Sequence, residues 1–267
     1  MAKVIINADD FGISIGVNEA IIKMYKEKNL TSASLMVNAN YTKDAVQKSL
    51  ENPELKVGLH FNLTTGKSVL HPISLPLLVN QEGKFKNGFV KLLLLSIFKR
   101  QEFLHQVEAE MKAQIEILKS FGISPSHIDG HRHIHYIFGI FEIAKTLSKQ
   151  YQISRIRIIN ESLLSTLKLS PKFPISGLIK WLVLRFLGLF NGSRNIKAPY
   201  FFSIIHSCQI SNKILQKFEL NPNFDEVEIM LHPSIKELDI NSVIEYEKSH
   251  LTSQLRTLEL NFIKPKL

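Results

Sequence analysis

Short apolar runs rich in valine and isoleucine alternate along the chain with longer stretches of helical period. "KVIINA" reads as a strand. "SIGVNEAIIKMYKEKN" after it reads as a helix, with Ile15, Ala20, Ile22 and Tyr25 near one side. "SASLMVN" is a second strand, "TKDAVQKSL" a second helix and "KVGLHFNLT" a third strand. "HQVEAEMKAQIEILKSFG" is a clear amphipathic helix, with Gly122 as its C-terminal stop. Then come the strand "SHID", the helix "FGIFEIAKTLSKQY" and the strand "SRIRII". An apolar segment around Trp181, a strand "YFFSII", a helix "NKILQKFE", a strand "EVEIML" and a long terminal helix complete the pattern.

Repeated strand–helix alternation predicts an α/β fold with a parallel sheet covered by helices. About seven such units predict closure into a TIM-like (β/α) barrel rather than an open sheet. Between Thr64 and Gln101 the alternation breaks, so the region 64–101 reads as an insertion, a lid or a substrate loop. The chain's 267 residues suit one barrel domain spanning 1–267.

Composition narrows the partners. One cysteine, Cys208, excludes an intramolecular disulfide and a cysteine-based zinc cluster; it reads as a small core residue, and the scarcity of thiols points to a reducing compartment. Only a short apolar run precedes the first acids, which is not a signal peptide, so a cytoplasmic location is expected. The net charge of +9 is spread along the chain without a nucleic-acid-binding motif. It reads as a surface bias that helps anionic ligands arrive, and no nucleic-acid partner is expected.

"ISGLIKWLVLRFLGLFNG" (175–192) is strongly apolar but broken by Lys180 and Arg185, a poor candidate to span a bilayer. Either it is a buried or dimer-interface helix, or it makes peripheral membrane contact, with Trp181 and the two cations at headgroup level.

The polar residues on the strands share one position. Asp9 and Asp10 end the first strand, His60 and Asn62 the third, His127 and Asp129 belong to "SHID", and His232 ends "EVEIML". All lie at or just past the C-terminal ends of strands, where barrels of this type build their chemistry. Singly, each has a plain structural reading: paired acids cap helices, and a lone histidine is often a core residue. His71, His105, His206 and His250 lack such company and read as structural or surface residues. Together, two imidazoles and a carboxylate with open positions describe a divalent metal site, with zinc favoured by the imidazoles. Of the paired acids, one can then be a ligand and the other a base.

The motifs "NADDFG", "GLHFNLT", "SHIDGHRHIH" and "MLHP" occur in an order that resembles the YdjC-like carbohydrate deacetylases, from Asn7 to Pro233. The resemblance implies a distorted barrel, a divalent metal (magnesium), a homodimer, and removal of an acetyl group from an N-acetylated sugar. It further implies that Asp10, His60 and His127 are metal ligands, Asp9 the base and His232 the proton donor. Asp129 would hold a ligand imidazole by its other nitrogen. His131 takes a supporting or substrate-contacting role, with direct metal ligation as the alternative; Asn62, His133 and Arg157 are likewise supporting or substrate-contacting, and His133 and His135 orient the loop or stack on sugar. Two departures fall at the rim: Ser234-Ile235 follows "LHP" in place of a glycine, and "RIINE" (Arg157 to Glu161) lacks a proline. They bear on substrate identity, and the apolar segment leaves room for a lipid-linked sugar. A metal phosphoesterase and a sugar-binding protein that has lost catalysis are the competing readings. The first usually needs two metals and more carboxylates; against the second stands the complete constellation.

Overall fold

The computed structural model describes residues 3–169, 175–215, 218, 224–240 and 251–263. Six strands form one sheet: β1 (Lys3–Phe11), β2 (Ser32–Leu35), β3 (Lys56–Phe61), β4 (Ile128–Gly130), β5 (Tyr200–Phe202) and β6 (Glu226–Leu231). Every pairing is parallel, in the order β4-β3-β2-β1-β6-β5. β2 and β5 are buried along their whole length and β3 and β6 in all but their first residue, which explains apolar runs instead of strict alternation.

The sheet curls into a half-barrel, and the expected strand "SRIRII" contributes less than a full ladder. It joins the edge of β4 through the single bridge Ile128–Ile156. The open side is spanned by side chains. Asn160 accepts from the Phe201 amide at 2.6 Å and donates to the Pro199 carbonyl at 3.1 Å. Glu161 accepts from the Ile204 and Ile205 amides at 2.8 and 3.2 Å. Side-chain bonds substitute for ladder bonds there, hence the distortion.

The helices are α1 (Ile15–Lys26), α2 (Thr42–Glu51), α3 (Phe89–Phe98), α4 (Arg100–Ser120), α5 (Ile140–Gln150), α6 (Leu163–Leu167) and α7 (Ile175–Phe190), followed by short segments. Ser14 caps α1, its hydroxyl accepting from the Val17 amide. α4 begins at Arg100, earlier than the sequence pattern suggests, and buries Phe103, Val107, Met111, Ile115 and Leu118 against the sheet. It ends where Gly122 turns left-handed (φ +83°).

The insertion 64–101 is more ordered than a loop. It holds the bridges Lys67–Lys84 and Val79–Phe85 and the whole of α3, whose run of leucines concealed a helical period. Polar side chains of α4 pin it down: Glu110 accepts from the Val69 and Leu70 amides, and Gln106 from Leu77. The expected helix "NKILQKFE" is described only as Asn212–Leu215. The terminal helix appears as Lys236–Asp239 and Gln254–Leu260, with 241–250, including His250, outside the described residues.

Candidate metal centre

Successive strand residues face opposite sides of a sheet, so neighbouring acids should not both reach one cavity. At the end of β1 they do. The β1–β2 register shifts between Ala8 and Phe11, and Asp10 adopts a left-handed backbone (φ +69°). This bulge turns Asp10 so that it lines the same cavity as Asp9.

Asp10 stands between two imidazoles. Its Oδ1 is 2.8 Å from His131 Nδ1 and 3.4 Å from His60 Nε2. The other nitrogen of His60 meets Asp129 Oδ1 at 2.7 Å. Asp10, His60 and His131 are all buried and offer one ligand atom each, all within 4.8 Å of one another. Asp10 Oδ2 is occupied by Arg256 at 2.5 Å, which leaves Oδ1 for a cation. The donor set of one carboxylate oxygen and two imidazole nitrogens, one of them oriented from behind by a carboxylate, fits a divalent metal.

His127 does not belong to this group: of the three expected ligands the structure brings Asp10 and His60 together, and His131 joins them where His127 was expected. His127 is in register with Gly58, one layer below the His60–Asp129 pair. Two residues along a strand set its backbone about 6–7 Å below that of Asp129, and its Nε2 reaches up only to 3.9 Å from Asp129 Oδ2, not to Asp10. Both ring nitrogens are engaged, Nδ1 with Ser126 Oγ at 2.9 Å and Nε2 with Ser34 Oγ at 3.0 Å. The ring packs on Gly58, where a Cβ would come within 2.4 Å of it. Burial, then the charge of Arg155, pushes its pKa down to about 3, so it stays neutral. His131 takes the position expected for His127, because the chain turns out of β4 through left-handed Arg132 and His133.

Arg157 lies beneath the acids, wholly buried. Its guanidinium donates to Asp9 Oδ2 and Oδ1 (2.6 and 2.7 Å) and Glu228 Oε1 (2.8 Å), and reaches Asp129 Oδ2 at 2.7 Å. Burial opposes ionisation of Asp129, but Arg157 and then His60 outweigh it and hold the carboxyl well below the usual range. Arg256 and His131 do the same for Asp10. A second group, Asp9–His60–Asp129, also has ligand atoms close together. Its carboxylates are tied to Arg157, so Asp10–His60–His131 is the better cation site.

The cavity above these residues has a volume of about 730 Å³. Asp9, Asp10, His60, His131, His133 and His232 supply polar wall; Phe89, Ile179, Val183, Leu184 and Leu255 supply apolar wall. His232 sits at the end of β6 with Nε2 4.0 Å from Asp9 Oδ2, and its amide donates to Glu259. His133 lines the wall with a buried Nδ1 that has no hydrogen-bond partner. His135 turns away, toward the Arg157 carbonyl. Asn62 does not line the cavity: its Oδ1 accepts from the Thr64 and Thr65 amides and shapes the turn after β3.

Sequence reasoning missed Arg256, Ser34, Glu228 and Glu259. Arg256 comes from the C-terminal segment, and its only advance signal is that a buried carboxylate needs a guanidinium or similar partner. Cys208, expected in the core, is half-buried and lines the cavity beside His232 and Glu259.

The model of the YdjC-like protein family matches residues 3–264. The chain belongs to this family. A carbohydrate deacetylase of Clostridium beijerinckii is 31% identical over 91% of this chain and 86% of its own. One from Halalkalibacterium halodurans is 29% identical over 97% and 94%. A chitooligosaccharide deacetylase of Salmonella typhimurium is 28% identical over 87% and 92%. Among solved structures, a candidate cellobiose-phosphate cleavage protein of Enterococcus faecalis superposes with a TM-score of 0.67. It is 23% identical and covers 99% of this chain and 91% of that one, which supports the fold alone.

Proposed function

We propose that this YdjC-like chain is a metal-dependent carbohydrate deacetylase that releases acetate from an N-acetylated amino sugar. The observation that carries the reading is the convergence of Asp10, His60 and His131 at the cavity floor, with Asp129 behind His60. The deacetylase names of relatives aligned over most of their length support the substrate class. Asp10 Oδ1, His60 and His131 would hold the cation. Two imidazoles favour zinc, whereas the family resemblance implies magnesium. A divalent ion there supplies Lewis acidity to an amide carbonyl and acidifies water.

The residues of the chain do the rest. Asp9 is the base that takes the proton of the attacking water; Arg157, bonded to both its oxygens, fixes its direction. His232, on the wall near Asp9, gives a proton to the departing nitrogen, since an amine anion leaves poorly. The apolar wall of Phe89, Ile179 and Val183 shields the reacting amide from bulk water.

The test is acetate release from N-acetylglucosamine oligomers by purified protein, with chelator and then with zinc or magnesium restored. Release that chelator abolishes and metal restores is expected. Chelator-resistant release, or hydrolysis of phosphate esters in place of acetamido sugars, would overturn the reading.

A further inference from the structure

α7 is apolar on two sides. Gly177, Leu184, Leu187 and Gly188 face the protein, while Ile175, Ile179, Leu182, Phe186 and Leu189 form an exposed stripe, Phe186 with 55% of its surface open. α3 repeats the arrangement: Leu92 and Leu95 are buried, and Val90, Leu94, Ile97 and Phe98 are exposed, Phe98 at 78%. The two helices are neighbours, since Phe89 and Leu93 pack into the same cluster as Leu184, Leu187 and Trp181. Both also border the cavity, through Phe89 from α3 and Ile179, Lys180 and Val183 from α7. Two exposed apolar helix faces beside one cavity mouth mark a docking face.

Charge identifies the occupant. The chain has no Asp or Glu between Glu82 and Glu102, or between Glu161 and Glu219. Both helices lie within these stretches, and their charged residues are cations: Lys91, Lys99 and Arg100 at α3, Lys180 and Arg185 on α7. The alternating four–three spacing of the α7 stripe would also suit a second copy of the helix. Self-pairing, however, would set cations against cations with no acid to match them. Among the described residues no helix is long and apolar enough to cross a membrane. An apolar face, flanking cations and no spanning segment describe helices that lie in the interface of an anionic bilayer.

We propose that the exposed faces of α3 and α7 dock on an anionic lipid bilayer, which brings the cavity mouth to the headgroup layer. The face then suits a sugar presented on a lipid. Docking is read without turnover, so it stands or falls separately from the deacetylase reading.

The experiment is co-sedimentation of the full chain with vesicles of phosphatidylcholine alone or mixed with phosphatidylglycerol. Binding to the mixed vesicles is expected, weaker on phosphatidylcholine alone and weaker in high salt. Leu182→Ser with Phe186→Ser, or Phe98→Ser, should reduce it by roughly tenfold or more, with melting temperature confirming the fold. Lys91→Glu with Lys99→Glu, which leaves the apolar stripe intact, should remove the preference for phosphatidylglycerol. No sedimentation, equal binding to both vesicle types, or binding unchanged by these substitutions would overturn the proposal. So would concentration-dependent self-association that the same substitutions abolish, since a second copy would then cover the face.

Discussion

Asp129 holds His60 by the ring nitrogen that faces away from Asp10, with Nδ1 and Oδ1 2.7 Å apart. His60 Nε2 is thereby directed at Asp10 Oδ1, 3.4 Å away. A carboxylate in this position fixes the tautomer and orientation of a ligand imidazole, and its loss typically costs 10–100-fold in metal affinity, on the order seen for such partners. Asp129→Asn should weaken metal binding by about that factor in a chelator-competition titration. Unchanged affinity would show that His60 does not depend on Asp129 for its aim.

His127 and Gly58 interlock, and the interlock can be measured. Gly58→Ala would place a Cβ within 2.4 Å of the imidazole, a clash with a ring that has no room to move. Overpacking of this kind costs about 1–3 kcal/mol. The Gly58→Ala/His127→Ala double variant should be less destabilised than the sum of the single changes, by urea unfolding. Strict additivity would contradict the contact.

The order of elements was legible in the sequence because strands buried on both faces read as apolar runs and α1, α4 and α5 carry strong helical periods. The candidate site was legible as polar residues at strand ends, most of which line one cavity. Four things were not. α3 is a run of leucines whose period is invisible, so the insertion looked structureless. The bulge that turns Asp10 into the cavity depends on a left-handed residue that is not glycine, for which the sequence has no marker. The choice between His127 and His131 depends on depth along β4: both are histidines of one motif, and only the register with Gly58 and His60 separates them. Arg256 reaches Asp10 across most of the chain and has no local signature.

Glu161 supplies a pH dependence of stability away from the cavity. Burial pushes its carboxyl up to about 7 despite bonds from Thr166 and the Ile205 and Ile204 amides. The folded state therefore keeps a proton that the unfolded chain releases near pH 4.5. Stability from this group is complete below that pH and is lost as pH rises toward about 7, by at most about 3 kcal/mol. Glu161→Gln, whose amide can still accept from Ile204, should flatten the decline in thermal melts across this window. An equal decline in the variant would assign it to another group.

His232 should matter most when the leaving group is poor. His232→Ala is expected to keep its metal and lose about 10²–10⁴-fold in turnover on an acetamido sugar, the usual contribution of a general acid. On an acetyl ester of similar shape the loss should be much smaller, because an alkoxide leaves more readily. Equal losses on both substrates would show that His232 does something other than protonate the departing nitrogen.

If Asp10, His60 and His131 hold the cation while His127 belongs to the barrel interior, bound metal separates the two histidines. Elemental analysis of purified His131→Ala and His127→Ala, each dialysed against zinc or magnesium, tests this assignment most directly. His131→Ala should lose bound metal, and His127→Ala, where it folds, should retain it at the wild-type ratio. Metal retained by His131→Ala and lost from folded His127→Ala would contradict the assignment.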